Sequence, residues 1–369
     1  MYTSRGHGAT FFSEADAYYE NILAAINGAT ESVVIESYIF NFDRVGQRFV
    51  EALSAAAQRG CRVRVLVDGF GSIRDASRLA EVLKAAGVEF KIYHPMPWRL
   101  ATHAHSWQKG YWLYKILYFI FNINRRNHRK LYLVDSTLAW TGSFNISASH
   151  LGDNSEGKPW RDYGVCLRDD TVVSLSQGFD NLWLAGPARF YRGFFSRYLS
   201  NRSLASRRLK NRFLLRRIDG RENRLWISSA YFSPTAAIRR GILRACERGV
   251  DVRLLLPGQS DVPVFPALSG YYYRELLDAG AKIYRFNRGV LHAKALLLDD
   301  LAIVGSSNLN YRSLLHDLEL DVVIYDPGVV DQLQDHLRGD MDNSSELDLQ
   351  TLMPVGLAAH FYYGLRYWM

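Results

Sequence analysis

The chain has 369 residues, 48% of them hydrophobic, which excludes a disordered or fibrous protein and suffices for one large core or two smaller ones. Lys and Arg number 45 against 37 Asp and Glu, a formal net charge of +8 that favours anionic partners, with nucleic acid and anionic lipid as the two candidates. No uncharged apolar run reaches the roughly 18 residues of a membrane-spanning helix, so none is expected.

In chain order, Met1 to Thr10 is polar and small and does not read as a secretory leader. Ser13 to Ile26 has the spacing of an amphipathic helix, with Ser13 as N-cap and Asp16 three residues on. SVVIESYIF (Ser32 to Phe40) then reads as a strand, followed by a helix ending AAAQRG, the strand CRVRVLVDG, a helix ending in Ala-Gly before VEFKIY, and the hairpin HRKLYLVDSTLAWTGSFN. The same order returns later as RLWISSAYF (Arg224 to Phe232), a helix ending RACERG, DVRLLLPG, DAGAKIYRF and HAKALLLDDLAIVGSSN. The repeat predicts an α/β protein of two similar α/β/α lobes packed about a pseudo-twofold, with the active site at their interface. Gly60 and Gly249 are expected to be left-handed helix caps. Cys61, Cys166 and Cys246 lie far apart, lack metal-ligand spacing, and read as buried free thiols in a reducing compartment.

The expected boundaries are an N-terminal lobe over 1–200, a basic linker over 201–223, a C-terminal lobe over 224–345 and an aromatic tail over 346–369. Gly87 to His128 is much longer than the matching Gly280 to His292, so the first lobe carries an insertion within 93–127. It contains YWLYKILYFIFNI (Tyr111 to Ile123), too short to cross a bilayer and outside the repeated core, which reads as an interfacial or substrate-channel element rather than core packing. Arg197 to Arg224 holds ten basic residues against Asp219 and Glu222. That stretch is either a solvated face or an electrostatic footing on anionic lipid.

Each half contains His-x-Lys-x4-Asp followed by Gly-Ser-x-Asn. The residues are His128, Lys130, Asp135, Gly142, Ser143 and Asn145, then His292, Lys294, Asp299, Gly305, Ser306 and Asn308. One copy would be weak; two at matching places in a repeat are not accidental. His and Lys two apart share a strand face, whereas the aspartates stand an odd step on, at the turn, where a structural acceptor is expected despite their place in the motif. Asn145 and Asn308 are expected on the return strands, with amides reaching the same pocket, and Gly142 and Gly305 read as ordinary turn residues. Two imidazoles, two ammonium groups and two amides suit a phosphodiester: one histidine attacks phosphorus, the other moves the proton, and lysines and asparagines hold the oxygens. No metal or cofactor is expected, because the lysines supply positive charge and the motif carboxylates do not cluster. His103, His105, His150, His316 and His360 read as ordinary histidines.

On these motifs the chain resembles the phospholipase D superfamily to about residue 340. NLNYRSLLHDLEL (Asn308 to Leu320), WRDYGV (Trp160 to Val165), FNISASHLG and AAAQRGCRVRVLVDGFGS are similar to bacterial cardiolipin synthases, particularly the short type without N-terminal transmembrane helices. The resemblance implies phosphatidyl transfer between phospholipids such as phosphatidylglycerol through a phosphohistidine, with His128 as nucleophile and His292 as acid. It also implies an acidic residue after each motif that orients its histidine, a place held by Asp162 and Glu319, as a carboxylate fixes the tautomer and stabilises the imidazolium. The alternative is a hydrolase of the same superfamily, a phospholipase D or a nuclease. Aromatic residues cluster in two apolar stretches and are not interleaved with the basic one, which favours a lipid partner over nucleic acid. The expected protein is a monomer, bound peripherally at the cytoplasmic face of a bacterial inner membrane.

Overall fold

The structure is a computed structural model that describes residues 8–96, 125–153, 159–185, 198–200, 204–350, 352 and 356–368. Tyr111 to Ile123, central to the expected interfacial insertion, lies outside the described residues.

The first lobe is built on β1 (Ala9–Phe12), β2 (Ser32–Ser37), β3 (Arg62–Asp68), β4 (Glu89–Tyr93), β5 (Leu131–Val134), β6 (Leu138–Gly142) and β8 (Gly164–Leu167), with the short β7 (Trp160–Arg161) beside it. These strands form a seven-stranded sheet in the order β1-β8-β6-β5-β2-β3-β4. The second sheet uses β9 (Tyr198–Ser200), β10 (Arg224–Ser228), β11 (Asp251–Pro257), β12 (Lys282–Phe286), β14 (Ala295–Leu298), β15 (Leu301–Gly305), β16 (Leu320–Ile324) and β17 (Ser344–Glu346). Its order, read from β9, is β9-β16-β15-β14-β10-β11-β12-β17. Apart from the added edge strand β17, this is the same sequence of roles, so the repeat in the chain is a repeat in space.

Side-chain alternation explains why both sheets are covered on two faces. Val63, Val65 and Val67 of β3 pack outward under the helices α1 (Ala15–Asn27), α2 (Arg44–Gln58) and α3 (Ala76–Ala85), while Leu66 points the other way. Leu131 and Leu133 of β5 join Ala295 and Leu297 of β14 in one core shared by the two lobes. That core also takes in Phe179 of α4 (Thr171–Ala185), so the lobes meet through a continuous apolar layer.

Several local expectations need adjustment. Helix α1 starts at Ala15 with Glu14 at its N-cap, and Ser13 bonds the Glu14 carboxylate instead of the helix. Gly60 and Gly249 take φ of 94° and 80°, the left-handed caps their positions require. All three cysteines are free, but only Cys61 and Cys166 are buried and Cys246 is half-buried.

The stretch read as a basic linker contains α5 (Leu204–Asp219), which packs on the second lobe. Leu214 and Ile218, one turn apart, enter that lobe's core, and buried Lys210 lies 2.6 Å from Asp321. Arg208, Arg212 and Arg216 form an outward stripe, beside exposed Leu204 and Leu209. On the same lobe follow α6 (Ala236–Glu247), α7 (Val264–Asp278), α8 (Tyr311–Leu315) and α9 (Pro327–Asp342). Part of the aromatic tail forms α10 (Leu357–Leu365), seated on α7 with Tyr363 stacked 3.9 Å from Tyr271. Among the described residues no helix is long and apolar enough to cross a membrane.

Candidate active site

His128 and His292 each stand just before the first strand of a motif hairpin, at the seam between the lobes. Backbone pairing across the seam sets both. β7 runs parallel to β13 (Val290–Leu291), and the His292 N–H donates to the Arg161 carbonyl at 2.9 Å. On the other side Asn127 bridges Leu318, and the His128 N–H donates to the Leu318 carbonyl at 2.9 Å. The residues that follow those carbonyls are Asp162 and Glu319.

The carboxylates therefore pair crosswise. Asp162 Oδ1 lies 2.7 Å from His292 Nδ1, and Glu319 Oε2 lies 3.1 Å from His128 Nδ1. This corrects the expectation that each carboxylate orients the histidine of its own motif, because the register at the seam presents each to the opposite one. Burial and the neighbouring lysines push both imidazoles below their ordinary pKa, and the facing carboxylates only partly offset this. Burial works against ionised Glu319, yet His128, Lys210 and Lys130 bring it down to about 2. Asp162 is held well below the carboxylate range, against burial, by His292 and His150.

Lys130 and Lys294 are fully buried, and each ammonium donates to the carbonyl of its motif histidine, Lys130 at 2.7 Å. Burial and the proximity of Lys294 push Lys130 down to about 7, and burial pushes Lys294 down to about 8. Two buried ammonium groups are matched to an anion that would replace their lost water.

Asn145 and Asn308 lie beyond the return strands, not on them. Their Oδ1 atoms accept from the backbone N–H groups of Ile39 at 3.3 Å and Tyr231 at 3.1 Å, which fixes the amide orientation. Among the described residues the buried Asn145 Nδ2 group has no hydrogen-bond partner, a donor available to a ligand oxygen. Gly142 and Gly305 are not ordinary turn residues. A Cβ at either would collide with backbone of the adjoining strand, the Tyr163 and Leu320 carbonyls, so glycine lets β8 and β16 pass close to the motif.

Asp135 and Asp299 share the motif but not the pocket, so membership of the motif does not make them catalytic, and they are the structural acceptors expected at the turns. At the turns, with φ of 48° and 52°, they accept from backbone N–H groups at the start of β2 and β10. Asp135 takes Glu31 and Ser32 at 2.8 Å each and Thr30 at 2.9 Å; Asp299 takes Arg224 at 2.9 Å, Asn223 at 3.1 Å and Glu222 at 3.3 Å.

His150, read from the sequence as ordinary, belongs to the site. Its Nδ1 is 2.6 Å from Asp162 Oδ2 and its Nε2 accepts the Asn145 N–H at 3.1 Å. The one cue to it in the sequence is its place five residues after Asn145, matching Ser313 after Asn308, and the differing residue types conceal that match. His150, Asp162 and His292 also converge as three side chains able to hold a metal ion. The Asn145 N–H, however, claims the lone pair of His150 Nε2 and leaves the proton on Nδ1, where a metal would have to bind.

The family described as cardiolipin synthase, PLD-like domain, matches residues 22–183 and 214–341. The chain is 30% identical over 342 residues to cardiolipin synthase A of Pseudomonas putida, covering 90% of this chain and 67% of that protein. It is 29% identical over 364 residues to cardiolipin synthase B of Salmonella typhi, covering 95% and 84%. The chain thus spans about two thirds of the length of the A-type relatives. In fold it is similar to the crystal structure of phosphatidylserine synthase from Haemophilus influenzae, with a TM-score of 0.74, 13% identity, and coverage of 99% of this chain and 96% of that one.

Proposed function

Because the chain belongs to the cardiolipin synthase, PLD-like domain family, a family of phosphatidyltransferases, we propose that it moves a phosphatidyl group between phospholipids through a covalent phosphohistidine. The observation that carries this reading is the pair of buried histidines, each held by a carboxylate from the opposite lobe, beside two buried lysines.

With Nδ1 bonded to a carboxylate, each imidazole keeps its Nε2 for chemistry. His128 Nε2 attacks phosphorus of phosphatidylglycerol while the bond from phosphorus to the headgroup oxygen breaks. His292 gives that oxygen its proton and glycerol leaves. In the second step His292 takes the proton from the hydroxyl of another phospholipid. That oxygen bonds to phosphorus, the phosphorus–nitrogen bond breaks, and His128 is regenerated. Lys130, Lys294 and the amides of Asn145 and Asn308 hold the non-bridging oxygens and offset charge gained in the transition state. Entry of the phosphodiester anion favours protonation of both lysines and of the acid, which burial disfavours.

The protein acts at a membrane surface, bound peripherally on the cytoplasmic face. The arginine stripe Arg208, Arg212 and Arg216, flanked by Leu204 and Leu209, gives a basic face with apolar side chains for an anionic leaflet. The test is incubation with phosphatidylglycerol liposomes, alone and with phosphatidylethanolamine, followed by lipid mass spectrometry. Cardiolipin with released glycerol is the expected product; phosphatidic acid alone would make the enzyme a hydrolase and overturn the transfer reading.

A further inference from the structure

Behind each catalytic histidine the two halves build the same chain of hydrogen bonds from different parts. In one, the Asn145 N–H donates to His150 Nε2 at 3.1 Å, His150 Nδ1 meets Asp162 Oδ2 at 2.6 Å, and Asp162 Oδ1 meets His292 Nδ1 at 2.7 Å. In the other, the Asn308 N–H donates to Ser313 Oγ at 3.3 Å, Ser313 Oγ donates to Glu319 Oε1 at 2.6 Å, and Glu319 Oε2 meets His128 Nδ1 at 3.1 Å. Both chains start at the motif asparagine, pass through the residue five positions on, and end on the histidine of the opposite motif.

The lengths compensate. A long imidazole is joined to the short aspartate, and a short hydroxyl to the longer glutamate. The Asn145 N–H needs the lone pair of His150 Nε2, so neutral His150 carries its proton on Nδ1 and donates it to Asp162. Asp162 thus has both oxygens held by imidazole N–H groups and cannot rotate away from His292. His150 is 3% exposed and Asp162 is fully buried, so water does not replace either bond. The surroundings allow the exchange of one pair for the other. Ser143 accepts the Tyr163 N–H at 3.1 Å, as Ser306 accepts the Leu320 N–H at 3.0 Å, and Ser306 also donates to Glu319. A glutamate at 162 would find the equivalent hydroxyl in place.

We propose that His150 is a positioning residue that acts on His292 through Asp162, and that His150 with Asp162 and Ser313 with Glu319 are length-matched pairs, exchangeable only as pairs. This rests on the reading of His292 as a reacting group.

The test uses the full chain and phosphatidylglycerol liposomes, comparing H150S, D162E, H150S/D162E, the reciprocal S313H, E319D and S313H/E319D, and H292A. H150S, D162E, S313H and E319D are each expected to lower kcat about 10- to 100-fold with little change in KM, since they disturb orientation more than binding. H150S is also expected to move the pH limb set by His292 upward by about half a unit or more, because a carboxylate with one fewer donor stabilises the imidazolium more. The double variants are expected to recover to within about fivefold of wild type, far from the product of the single losses. Wild-type kcat and an unmoved pH profile in H150S would overturn the positioning role. Double variants no better than their poorer single parent, or unfolded while the singles fold, would overturn the length matching. An active H292A would sink the underlying two-histidine reading instead.

Discussion

Nδ1 of His292 lies 2.7 Å from Oδ1 of Asp162 although 130 positions of chain separate them. Each half supplies a motif imidazole and, to its neighbour, the carboxylate that holds it. Four residues are therefore expected to fail in turnover. H128A and H292A should each lower the rate by more than about a thousandfold, and D162N and E319Q by about a hundredfold or more, with thermal melts still cooperative. Steady-state assays on liposomes check this, and more than a tenth of wild-type rate in either histidine variant would contradict the mechanism.

K130M should be inactive and more stable. Lys130 is brought down to about 7 from the usual lysine range by burial first and Lys294 second. A lowered lysine pKa costs stability while the unfolded chain keeps its proton. The cost is full below about pH 7, on the order of a few kcal/mol, and fades as pH rises toward the unfolded pKa near 10. Melting of wild type and K130M at pH 6 and pH 9 should show the larger gain at pH 6.

D135N and D299N should act on stability and leave kcat of the folded enzyme within about twofold, since neither residue reaches the pocket. Burial opposes the Asp135 carboxylate, but backbone N–H groups lead it to a lowered pKa. Its contribution is then present above the unfolded carboxylate pKa and lost as pH falls through the lower folded value. Urea titration at neutral pH should show about 1–2 kcal/mol lost in D135N.

Replacing Arg208, Arg212 and Arg216 by glutamate should weaken sedimentation with anionic liposomes at least a hundredfold, since each basic residue near such a surface contributes about 1 kcal/mol. Cleavage of a small water-soluble phosphodiester should be unchanged. Equal loss on both substrates would place the stripe in folding rather than docking.

Excess EDTA should leave turnover unchanged, because Lys130 and Lys294 supply the positive charge a divalent ion would otherwise bring. Activity lost to chelation and restored by a divalent ion would contradict this.

The repeat made much of the fold legible. The apolar runs VRVLVD and VRLLLP mark strands covered on at least one face, and the duplicated motif marks His128, Lys130, His292 and Lys294. The crossing of Asp162 and Glu319 was not legible, because a duplicated sequence looks the same whether its halves pair within themselves or across a seam. His150 was hidden by substitution, since its counterpart is Ser313 and no shared letter marks the place. Helix α5 was masked by its charge, although Leu214 and Ile218 keep the four-residue spacing of a buried helical face.

Both motif histidines are set by backbone pairing at one seam, so on the proposed mechanism doubling the unit yields one reaction centre and not two. A symmetric pair of identical chains would have to give its nucleophile and its proton donor the same surroundings. Fused into one polypeptide, the halves are free to drift apart, as the imidazole behind Asp162 and the hydroxyl behind Glu319 have done.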